Sequence, residues 1–144
     1  MPTPNQKRMI KHINATVFKL LKDYHFDEIT IQKICDIAEI NRSTFYRYFQ
    51  DKYDLLFSLP DYIATQFQHE DTRPFVSTEE SFQQFIYFIG DHKKVFKHLL
   101  TSSRQADVFR NLTHVSRELM LDSVENQNDP LALKIKHSHH PEII

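Results

Sequence analysis

Residues 30–56 of the chain read TIQKICDIAEINRSTFYRYFQDKYDLL, from Thr30 to Leu56. Thr30 is a good helix N-cap, and Ile31, Ile34, Ile37 and Ala38 follow it at spacings that give one apolar stripe. Asn41 can cap a second short helix, Arg42 to Tyr48, which turns Phe45 and Phe49 inward. Asp51 is placed to cap a third, through Tyr53, Leu56 and Leu59. The middle helix crowds Arg42, Ser43, Thr44, Tyr46, Arg47 and Tyr48 into seven residues. A helix built only for a core has no use for two guanidiniums, two hydroxyls and two phenols. Two short helices joined by the turn AEIN (38–41), with Ile34, Ile37, Ile40, Phe45 and Phe49 facing inward, describe a helix-turn-helix unit. Its exposed groups suit a DNA duplex. Arginine reaches guanine edges bidentately, while hydroxyls, phenols and lysine hold phosphates. The start of the following helix, near Lys52, adds backbone donors and a dipole that favour a phosphate.

Working outward, the rest of the chain supports an all-α fold. One glycine and six prolines in 144 residues leave few tight turns. A single cysteine, Cys35, excludes an internal disulfide framework and fits a reducing compartment. No signal peptide opens the sequence and no apolar run approaches the roughly 18 residues of a membrane span, so a cytoplasmic location is expected. The net charge of −1 argues against a generic polyanion binder. Residues 1–56 hold nine Lys/Arg against seven Asp/Glu, and residues 57–144 nine against twelve. The small basic excess therefore lies with the helix-turn-helix, and DNA affinity must come from local placement.

Before the opening stretch, Ile10, Ile13, Val17, Leu20, Leu21 and Tyr24 mark an amphipathic helix from about Asn5 to Tyr24. After it, Pro60 is expected to kink or interrupt a helix that resumes at Ile63 and Phe67. Residues 69–76 read as a connection. Ser77 and Glu80 form a capping box for the next helix, which Gly90 should end, with Asp91 capping its successor. A longer helix is expected over about 103–124, followed by the polar loop ENQNDP (125–130). The chain thus divides into an N-terminal three-helix bundle with a helix-turn-helix (about 1–56) and a helical remainder (about 57–144).

The segment carrying Thr30, Ile34, Ala38, Asn41, Ser43-Thr44-Phe45-Tyr46, Tyr48-Phe49, Lys52 and Leu55 resembles the DNA-binding part of TetR/AcrR-like bacterial regulators. The likeness covers about residues 5–60. It departs at Glu39 and Ser43, where that family commonly has glycine. The resemblance implies a homodimeric transcriptional regulator, most often a repressor, with a variable helical regulatory, ligand-sensing portion (about 57–144) behind the DNA reader. Carried onto this sequence, it points to Thr30, Asn41, Arg42, Ser43, Thr44, Tyr46, Arg47, Tyr48 and Lys52 as the residues facing a double-stranded operator. Tyr48 divides between that role and packing on the first helix.

Behind the reader, Phe67, Phe85, Phe88, Phe96 and Phe109 could line a pocket for a small apolar effector, or could simply be core. Cys35 reads as a small core residue. The spacing of His137, His139 and His140 matches no structural zinc pattern, and a polar tail is expected there. No phosphate loop, zinc-protease motif or nucleophile–base pair supports an enzyme, and no cofactor is expected. The competing class is a TetR-like co-regulator that binds another protein instead of DNA. Finally, SHHPEII (138–144) has the look of a helix beginning, with Pro141 at its first position. The expectation is a form without the C-terminal dimerisation helices, monomeric or weakly and atypically dimeric.

Overall fold

The computed structural model describes residues 2–70 and 77–125, and every described regular element is helical. Thr3 opens α1 (Pro4–Leu20) with a reciprocal capping box to Gln6. The helix ends four residues earlier than its apolar stripe suggested. Lys22 and Asp23 bond back to Lys19 and Leu20 three residues away, tightening Leu21–Tyr24 into turns. A short 3-10 turn, Phe26–Glu28, leads to α2 (Ile31–Ala38) and α3 (Arg42–Tyr48), capped by Thr30 and Asn41 as their sequences dictate. Asp51 caps a second 3-10 turn, Lys52–Asp54, which runs into α4 (Leu55–Glu70). Ser77 accepts from the Glu80 amide to start α5 (Thr78–Asp91). Then come α6 (Lys93–Leu100) and α7 (Gln105–Glu125).

One buried cluster runs through nearly all of these helices, from Ile13 and Val17 on α1 to Val108 on α7. Helix α4 is its spine. Leu55, Leu56, Leu59, Ile63 and Phe67 form its inward stripe, and the helix packs on both α1 and α7.

Three local expectations give way to packing. Pro60 does not interrupt α4, which runs through it. Proline cannot donate to the carbonyl four residues back, and that carbonyl, on Leu56, instead receives the side-chain amide of Asn111 on α7 at 2.9 Å. Gly90 does not end α5. It stays in the helical region, and His92, not Asp91, occupies the N-cap of α6. Ile37 does not face inward but is half exposed, because Ile34, Cys35 and Ala38 define the buried stripe of α2 and Ile37 lies well off its centre. The segment 71–76, the ENQNDP loop beyond Glu125, the three C-terminal histidines and the helix expected at 138–144 lie outside the described residues.

Candidate nucleic-acid interface

Local chemistry sets the turn between α2 and α3. Glu39 caps α2 in the left-handed region (φ 59°, ψ 46°), the sole positive φ among the described residues. Both Glu39 and Ile40 send their amides to the Cys35 carbonyl. The next carbonyl, on Ala38, lies 2.8 Å from His12 Nε2 on α1. A carbonyl only accepts, so that nitrogen carries the proton and pins the turn to the bracing helix. Below, Phe45 is fully buried and stacks at 5.3 Å on Phe49, so α3 is held by its apolar side and shows its polar side.

The sequence-predicted contact residues fall into three sets. At the start of α3, Asn41 Oδ1 accepts from the Thr44 amide, the Ser43 hydroxyl and the Thr44 hydroxyl, at 2.8, 2.7 and 2.8 Å. Both hydroxyl protons are engaged within the cap in this form. On the open face, Arg42 donates to Gln32 Oε1 at 3.4 Å and to Tyr46 Oη at 3.2 Å. Gln32 in turn donates to Asp36 at 2.8 Å. A polar chain therefore crosses from α2 to α3 and orients the Arg42 guanidinium. Arg47 is exposed and makes no hydrogen bond or ion pair among the described residues, which leaves its five donors open. Thr30 is exposed but occupied as the cap of α2, taking the Lys33 amide at 3.0 Å.

The third set points elsewhere. Tyr48 is half-buried and packs on the core. Lys52 directs its ammonium to the carbonyls of Phe26, Asp27 and Ile29, at 3.0, 3.0 and 2.9 Å. Three acceptors take up all three protons of the group. Burial pushes its pKa below the ordinary lysine value, with the Asp27 carboxylate pulling it back up. Gln32 was not foreseen. It sits ten residues from Arg42, and only the crossing of the two helices joins them.

Residues 15–59 match the family described as bacterial regulatory proteins, tetR family. Over those residues the chain carries a domain of the tetR family. The match runs from within α1 across both helices of the helix-turn-helix to the first turns of α4, so it covers the interface just described. That domain supports a DNA-binding transcriptional regulator. Neither the curated proteins nor the solved structures contain a match to it. No described helix is long and apolar enough to cross a membrane.

Behind the TetR reader, the five aromatics proposed for a pocket separate. Phe67 meets Phe85 and Phe88 at 5.3 and 5.4 Å, and Phe88 meets Phe96 at 6.1 Å. These four rings fill the space among themselves. Phe109 is 65% exposed and lines an open cleft of about 770 Å³ on α7, with Arg110, His114 and Arg117 among its walls. Cys35 is buried, and burial raises its thiol pKa, which suits a packing role rather than a reactive one.

Proposed function

We propose that the protein reads a specific duplex sequence through the exposed face of α3 and acts as a repressor by occupying its operator. The observation that carries this is the pairing of an oriented and an open guanidinium on one short helix: Arg42 tied to Gln32 and Tyr46, Arg47 free of described partners. Orientation favours bidentate base reading by Arg42, and freedom suits Arg47 to a phosphate or a base edge. Ser43, Thr44, Tyr46 and the start of α3 flank them as backbone contacts, with Thr30 at the start of α2. Lys52 has the geometry of a brace for the 26–29 turn, so its share in DNA binding is indirect on this reading. The cytoplasm is the matching location.

Release by a small apolar effector belongs to the same proposal. Four of the candidate aromatics are used in packing, so the effector is assigned to the cleft beside Phe109. A second reading, a co-regulator that binds protein, draws on the half-exposed Ile37 and the acidic Glu39 next to α3.

Selection of bound duplexes from a random pool tests the proposal directly. Enrichment of one motif, with log affinity falling linearly as log salt rises, is the expected result. Arg47→Ala should then lower affinity for all duplexes and reduce the salt slope by about one, or cost about 1–3 kcal/mol at a single base position. No enrichment, with no salt-dependent binding, would favour the protein-binding reading.

A further inference from the structure

A second cleft, of about 490 Å³, lies between α1 and α4 and shares no described lining residue with the Phe109 cleft. Its volume suits a small molecule. Lys7, Ile10, Lys11 and Asn14 line the α1 wall, at steps of three and four that put them on one helix face. The α4 wall repeats the pattern with Ser58, Asp61, Tyr62 and Thr65. At one end the Ser58 hydroxyl donates to Asn14 Oδ1 at 3.1 Å. From that bond each wall extends two helical turns, about 10 Å.

The polar groups around this space are mostly donors. Asn14 is 2% exposed; its Nδ2 gives one proton to the Ile10 carbonyl at 2.9 Å, and the other finds no acceptor among the described residues. The Tyr62 ring meets Phe18 edge-on at 5.7 Å, while its hydroxyl bonds no described residue. Burial raises the pKa of that phenol, so it keeps a proton to donate near neutrality. Lys7 and Lys11 are exposed and form no ion pair among the described residues. Asp61 is the one acid among the described lining residues. Two ammoniums against one carboxylate leave one net positive charge. Ile10 and the Tyr62 ring, both packed against the core, supply the apolar surface.

We infer that the cleft between α1 and α4 binds a small organic carboxylate, held by Lys7 and Lys11 with its apolar body along Ile10 and Tyr62. One net positive charge matches a monoanion, which a carboxylate is and a phosphate monoester near neutrality is not. The surplus donors suit an acceptor-only group, and charge-assisted bonds to the ammoniums are the strong ones. Asp61 is left to accept from a hydroxyl or N–H on the ligand's body. The bound molecule bridges α1, whose His12 pins the α2–α3 turn, to α4, the spine of the core. The inference goes beyond the DNA reading and does not rest on it.

Calorimetric titration of the full chain with indoleacetate, phenyllactate and octanoate tests it. At least one of these should bind saturably with a Kd below about one millimolar, and the neutral amide of that probe at least about tenfold more weakly. Lys7→Gln combined with Lys11→Gln, both on exposed positions, should leave the helical circular dichroism intact and weaken binding at least about tenfold. Tyr62→Phe, which removes only the hydroxyl, should weaken it about threefold. Failure of all the probes to bind saturably would overturn the inference. So would equal affinity for the amide, or binding indifferent to the double lysine change. Binding lost in Arg110→Gln instead would place the carboxylate in the Phe109 cleft and overturn it equally.

Discussion

Asn111→Ala isolates how α4 runs through a proline. Pro60 has no N–H, and the carbonyl it would have served, Leu56 O, is taken by Asn111 Nδ2 at 2.9 Å. Removing that amide deletes one hydrogen bond, worth about 0.5–1.5 kcal/mol, and strands an acceptor, at about 1–3 kcal/mol if water cannot reach it. Leu56 is 3% exposed, but Asn111 is only half-buried, so some water can enter once the side chain is cut back. The lower half of the range follows: Asn111→Ala should destabilise by about 1–2 kcal/mol. The decisive comparison is the same change in a Pro60→Ala background. Alanine at position 60 restores the backbone donor, so Leu56 O no longer depends on Asn111. There Asn111→Ala should cost at most about 0.5 kcal/mol, a coupling of roughly 1 kcal/mol between the two positions. Urea unfolding followed by helical circular dichroism measures all four corners of the cycle. Equal costs in both backgrounds would show that Asn111 stabilises through something other than the orphaned carbonyl.

Three further outcomes are expected. Glu39→Gly should stabilise by about 0.5–1 kcal/mol, because the left-handed conformation costs a side-chain-bearing residue about 1–2 kcal/mol and glycine gives back part of the gain in chain entropy; thermal unfolding checks it, and a loss of stability would mean the Glu39 side chain makes an interaction that outweighs the strain. Lys52→Met, which keeps the apolar stem and removes the three bonds to the 26–29 turn, should lower stability by about 1–3 kcal/mol while leaving the salt slope of DNA binding unchanged; a slope reduced by about one, with stability intact, would restore Lys52 to the phosphate backbone. Ser81→Ala should be neutral or stabilising by up to about 1 kcal/mol in urea unfolding, since the Ser81 hydroxyl is fully buried and finds no hydrogen-bond partner among the described residues; a marked loss would reveal a partner for it.

What the sequence made legible is what short-range chemistry controls. Thr30, Asn41, Asp51 and Ser77 cap the helices they precede, because a cap is decided by a side chain and an amide two or three residues apart. The reader could be drawn from residues 30–56 for the same reason. Illegible were the contacts that close over long separations. Gln32 gains its meaning from Arg42 only where α2 and α3 cross, and Lys52 finds carbonyls 23 to 26 residues upstream. Pro60 was expected to kink or interrupt its helix, and α4 runs through it. The replacement donor comes from 55 residues past the orphaned carbonyl, so no local rule could show that the helix survives. The aromatics between 67 and 109 have one composition but two fates, set by the neighbours each ring meets.

The same long-range contacts change what the division near residue 56 means. Asp27, in the turn that Lys52 braces, accepts the Ser103 amide and hydroxyl at 2.8 and 3.1 Å. His25 stacks on His98 at 4.4 Å and donates from Nδ1 to Thr101 Oγ1, whose own proton goes to the Lys97 carbonyl. His98 donates from Nδ1 to the Leu21 carbonyl, and the Arg104 guanidinium lies 4.5 Å from the Tyr53 ring centre. Every one of these contacts joins the reader to the α6–α7 corner, and the apolar core continues without a break beneath them. The folding unit therefore extends across residue 56. A reader so attached cannot shift against α6 and α7 without breaking these polar contacts. That rigidity is what a helix offering just two arginines needs if its few contacts are to discriminate between sequences.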